Sequence, residues 1–279
     1  MALVDTVGTV HRPAEGEVRI VSLVPSITEL VCDLGLGEEL VGRTGFCIHP
    51  RERLRRVPKV GGTKDVALEK LRRLAPTHVI ANVDENRKET VAEIARFVPH
   101  VIVTHPLAPL DNLPLYRLIG GIFGRAREAE ALSGRFERAY AACERAAAGL
   151  ARQGVLYLIW RKPWMTVAPD TYISRTLALV NWHTVPHYAA DRYPAVDLDA
   201  ATLADVDVVL LSSEPYMFRE PHVAEVRTMP ELRGRRVALI DGEMTSWYGS
   251  RAIAGLEYLP RFRRALETGP HQQGARAHC

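Results

Sequence analysis

Several aromatic and acidic side chains in this 279-residue chain stand immediately after short apolar runs. Pro25 and Ser26 close the first run, RIVSLV, and Phe46 and His49 follow the second, ELVGRT. Asp84, Glu85 and Asn86 follow THVIANV, and Trp160, Arg161, Trp164 and Met165 follow VLYLI. Asp170 and Tyr172 end the loop RKPWMTVAPD; Ser213, Glu214 and Tyr216 follow DVVLLS; Trp247, Tyr248 and Arg251 come after VALID. All four tryptophans lie in the second half, three of them in such loops. A loop tryptophan often serves only as a lid over its own core, but three in one class of loop suit a flat, partly apolar small-molecule site with a few polar groups.

Catalytic chemistry finds little support. A GxSxG elbow is missing, so no catalytic residue is assigned. Gly61-Gly62-Thr63-Lys64 is a fragment of a phosphate loop without the full GxxxxGK[ST] spacing, and Gly35-Leu36-Gly37 reads as a helix stop. The ten histidines contain no HExxH, and Pro186 between His183 and His187 disfavours the helix that would align them on a metal, so no metal ligand is assigned either. Two alternatives stay open. A direct receptor for zinc, manganese or iron would draw on His49 with Glu85 or Glu214. An enzyme of chelate metabolism would use Glu85, Asp170 or Arg161.

Thirty-six basic and 33 acidic residues leave a net charge of +3, and the basic residues are dispersed, so nucleic acid is not an expected partner. Hydrophobic and charged fractions of 47% and 25% fit a globular chain with ample core. Cys32, Cys47, Cys143 and Cys279 show no CxxC or zinc spacing; Cys32 and Cys143 read as small buried hydrophobes. No apolar run reaches about 18 residues, so no membrane-spanning helix is expected. The N-terminal MALVDTVGTVHRPAEGEVRI lacks the features of a signal peptide, which places the chain in the cytoplasm as written and in the periplasm if its start is truncated or misassigned.

Those side chains need elements to hold them. Residues 1–17 read as a loose leader and 268–279 as a loose tail. Residues 18–111 alternate strands and helices over short loops, the pattern of a largely parallel α/β lobe, with Ser26 as N-cap of the helix ITELVCDLGL. Residues 112–153 supply connecting helices. The last of these, Arg125–Gln153, carries Ala126, Ala129, Leu132, Phe136, Cys143 and Leu150 at helical spacing and predicts a rod of roughly 40 Å. Residues 154–267 repeat the strand-rich grammar without close sequence repetition; within them TYISRTLALVNW predicts a helix. The fold expected is α/β: two Rossmann-like lobes with mainly parallel sheets, joined by a single long backbone helix.

RIVSLVPSITELVCDLGLGEELVG, KVGGTKD with LEKLRRLAPTHVIANVDENRKE, and DGEMTSWYGSR resemble the helical-backbone (TroA-like, class III) substrate-binding proteins. They are closest to the cobalamin-binding branch that serves ABC importers. The resemblance covers about residues 18–267. It implies a non-catalytic protein holding a corrinoid or another metal chelate in the cleft between lobes, with no intrinsic cofactor and, if exported, an ABC importer as partner. Carried over, the ligand-binding positions are Pro25, Ser26, Phe46, Glu85, Asn86, Trp164, Trp247 and Arg251; Trp160, Arg161, Tyr172, Glu214 and Tyr248 join them from the strand-end reading. In this picture Trp164 and Trp247 flank the flat ligand, and Arg161 and Arg251 meet its polar rim. Glu69 and Glu225 would be the importer-facing acids.

Overall fold

The computed structural model describes residues 2–268. The described residues form two compact units, 2–106, 110–137 and 248–251 in the first and 107–109, 138–247 and 252–268 in the second.

The first unit begins with a hairpin of β1 (Leu3–Val4) and β2 (Val10–His11), where the sequence suggested a loose leader. Asp5 holds it in place. Its carboxylate accepts from Val7 N (3.1 Å), Thr9 N (2.9 Å), Val103 N (3.1 Å) and His11 Nε2 (3.1 Å). Single polar anchors of this kind leave no hydrophobic period to read. β3 (Ile20–Ser22) leads into α1 (Pro25–Asp33). Val24 is the cap and Pro25 the first helical residue, so Ser26 lies inside the helix and is not its N-cap; proline needs no amide partner at that place.

β4 (Leu40–Arg43), α2 (Arg51–Leu54), α3 (Leu68–Arg73), β5 (His78–Asn82), α4 (Lys88–Ile94) and β6 (His100–Thr104) follow. The sheet is parallel in the order β4-β3-β5-β6. Every residue of β5 is buried, as a central parallel strand covered on both faces must be. Val21, Leu23, Val60, Leu71, Val79 and Ile94 form its core. α5 (Asn112–Ile122) precedes α6 (Ala126–Ala147). α6 passes from one unit into the next between Glu137 and Arg138. Its stripe of Ala129, Leu132, Phe136, Ala139 and Cys143 is buried, as the spacing required. It is shorter than the expected rod, 22 residues or about 33 Å, because Gly149 takes a left-handed φ of +84° and ends it.

The second unit contains β7 (Gln153–Leu158), α7 (Tyr172–Ala178), β8 (Trp182–Thr184), β9 (Val208–Ser212), α8 (Glu220–Arg227), β10 (Arg236–Ile240), α9 (Glu243–Ser246) and α10 (Arg251–Thr268), whose first residue belongs to the first unit. Its parallel sheet runs β10-β9-β7-β8. The predicted helix through Trp182 stops at Ala178; Asn181 takes a φ of +62° and Trp182 enters β8. In each sheet the first strand sits beside the second on one side and the third on the other. Among the described residues no helix is long and apolar enough to cross a membrane.

Candidate functional site

Strand order marks where a sheet of this kind can take a ligand, without reference to any side chain. Where consecutive parallel strands depart to opposite sides, their connections diverge and leave a gap beyond the carboxyl ends. In the first unit that point lies between β3 and β5, in the second between β7 and β9. Pro25, Ser26, Glu85 and Asn86 stand at the first; Trp160, Arg161 and Glu214 stand at the second. The candidates divide by unit, with Phe46, Tyr248 and Arg251 also in the first and Trp164, Tyr172 and Trp247 also in the second.

In the first unit, Asn86 braces the frame. Its Oδ1 accepts from Asn82 N (2.8 Å), and its Nδ2 donates to Thr63 O (2.9 Å) and Leu23 O (3.4 Å). Glu85 accepts from the Tyr248 hydroxyl at 2.6 Å. Burial, reinforced by the charge of Glu85, holds that phenol well above its usual range, with Ser26 beside it. Arg251 forks Glu29 at 2.7 and 2.6 Å, so its guanidinium is already matched to a carboxylate. Gly249 completes the anchoring of residues 248–251, donating to Asn112 Oδ1 (2.6 Å) and accepting from Tyr116 (2.8 Å). Phe46 is 63% exposed. The loop bearing it is pinned by buried Arg43, which donates to Thr44 O (3.1 Å), Cys47 O (2.9 Å) and Leu54 O (3.0 Å).

In the second unit, Trp160 is 41% exposed and meets Tyr216 edge-on, ring centres 5.6 Å apart. Trp164 stacks on Phe218 at 6.2 Å and packs against the unit's core, with Arg161 over its ring at 5.7 Å. Arg161 is also paired with Glu225. Trp247 is only 8% exposed; its indole N–H donates to Glu214 Oε1 at 2.7 Å, and Ser246 Oγ donates to the same oxygen at 2.6 Å. Burial raises the Glu214 carboxyl above its ordinary range, with Glu243 and Asp241 adding to it. Gly242 is required here, since a Cβ would lie 2.5 Å from both Glu214 Cγ and Ser212 Oγ. Tyr172 is buried in the first turn of α7, behind Thr171, whose Oγ1 accepts from Ser174 N.

Exposed aromatic surface at these strand ends therefore centres on Phe46 and Trp160, while Asn86, Trp247 and Tyr172 are buried and Arg251 is held by Glu29. Sequence reasoning missed Arg43 and Glu29, which hold site residues in place; a lone arginine in a strand and a glutamate in a helix carry no local signal of that role. His183 lies in β8, so its spacing from His187 has no helical meaning. Among the described residues no group of three or more His, Cys, Asp or Glu side chains is placed to hold a metal ion. In the fragment Gly61–Lys64, Lys64 Nζ instead donates to Asp84 O at 2.6 Å.

The family described as periplasmic binding protein matches residues 20–237. No curated protein matches the chain. Among solved structures, a periplasmic haem-binding protein from Roseiflexus sp. RS-1 is 25% identical with a TM-score of 0.78, over 90% of this chain and 100% of that one. A periplasmic vitamin B12-binding protein from Vibrio cholerae is 17% identical with a TM-score of 0.76, over 90% and 98%. A periplasmic haem-binding protein from the same organism is 19% identical with a TM-score of 0.73, over 89% and 99%. The last two likenesses show the fold alone.

Proposed function

The chain belongs to the periplasmic binding protein family, and on that premise we propose that it is a non-catalytic receptor for a flat metal chelate of the corrinoid or haem kind. The observation that carries this reading is Trp160, a half-exposed indole at the switch point of its sheet, braced by Tyr216. An exposed large aromatic held rigid by a neighbour suits stacking on a planar ligand. Within the first unit, Phe46 is likewise an exposed aromatic beyond a strand end. The solved haem- and vitamin B12-binding neighbours lend the chemical class.

An ABC importer is the partner this reading implies, and export is the condition for meeting it. Glu69, on α3, and Glu225, on α8, are the acidic residues proposed to face it. The bare-ion alternative lacks a converging donor set among the described residues.

Calorimetric titration of the folded protein with cyanocobalamin, haemin and a ferric hydroxamate tests the proposal. Saturable binding of at least one at micromolar concentration or below is expected. Folded protein that binds none of the three overturns the receptor reading.

A further inference from the structure

Resting on that chelate-binding reading, we infer that the ligand's rim presents hydrogen-bond donors, as carboxamides do, in preference to carboxylates, and that Glu214 selects for them. Glu214 follows β9 at the switch point of the second unit. Ser246 and Trp247 both donate to its Oε1, and a carboxylate has roughly four acceptor positions, so capacity remains for a donor on the ligand. Asp241 and Glu243 add to the negative potential around it. Among the described residues no lysine or arginine is ion-paired with Glu214.

The guanidinium that follows β7 in this unit is engaged elsewhere. Arg161 is paired with Glu225 and lies over Trp164. Lys162 is an exposed ammonium in the loop after β7, a single hydrated charge that does not replace a guanidinium fork. A chelate with two carboxylates on its rim would set anions against Glu214 or break the Arg161–Glu225 pair. One rimmed with amides finds an acceptor in place.

Dicyanocobinamide, a flat chelate rimmed with carboxamides, and haemin, which carries two carboxylates, separate the outcomes. The wild type is expected to bind dicyanocobinamide about tenfold more tightly than haemin, and Glu214→Gln to lose about tenfold of the cobinamide affinity while gaining none for it elsewhere. Tryptophan emission and melting midpoint establish that the variant is folded; if Glu214→Gln is not, the wild-type preference still decides. Haemin binding as tight as cobinamide, or a folded Glu214→Gln with unchanged affinity, overturns the inference while leaving the receptor intact. Binding of neither ligand overturns the receptor reading itself.

Discussion

Trp160 follows β7, whereas Trp247 is separated from β10 by the short helix α9 and caps it; both looked like ligand walls, yet they end in opposite environments. Trp247 is nearly buried, with its N–H given to Glu214, whereas Trp160 keeps 41% of its surface open. Trp160→Ala should therefore weaken chelate binding by about fivefold to tenfold and leave the urea midpoint almost unmoved. Trp247→Phe should do the reverse. It removes a buried donor from a carboxylate and should cost roughly 1–2 kcal/mol of stability by urea unfolding, with Ser246 still serving Glu214. Equal affinity losses from the two variants would contradict this division. The placement of these residues at strand ends was legible because apolar runs and the residues after them are local. Burial was not, since it depends on which distant group answers each polar atom: Glu29 for Arg251, Glu85 for Tyr248, Glu214 for Trp247.

The elements repeat that pattern. β5 and β9, apolar throughout, were readable as buried parallel strands, and the α6 stripe as a helix face. The hairpin of β1 and β2 was not, because Asp5 and its donors hold it to β6 rather than an apolar period. Beside it lies a pH-sensitive place. His78 is buried at the start of β5, stacked on His100 at 4.7 Å and edge-on to Phe123 at 4.9 Å. Burial, with the charges of His100 and His11 adding to it, lowers its pKa from 6.5 to about 4. The fold keeps His78 neutral while the unfolded chain takes up a proton below 6.5. Its contribution is thus complete above pH 6.5 and is lost as pH falls towards 4, with no further loss below. Urea midpoints at pH 7.5, 5.5 and 4.5 should fall in that order, and His78→Asn should flatten the decline. A wild-type midpoint that is level across this range would contradict the assignment.

At the scale of the whole chain, two units of different sequence adopt one strand order, β4-β3-β5-β6 and β8-β7-β9-β10. No repeat betrays this in the residues, because parallel α/β topology asks only for buried apolar strands and helices of adequate length, which many sequences satisfy. Each sheet thereby acquires a switch point, and each switch point receives a carboxylate, Glu85 in one unit and Glu214 in the other. What the sequence could not reveal is which aromatic remains open there. Tryptophan emission answers that in solution. A quenching titration with cyanocobalamin, corrected for the ligand's own absorption, is run on the wild type and on Trp160→Phe. Saturable quenching at micromolar concentration or below, most of it lost when Trp160 is replaced, is the predicted result. Quenching that is absent, or that persists undiminished without Trp160, would contradict the placement of a chelate at this strand end.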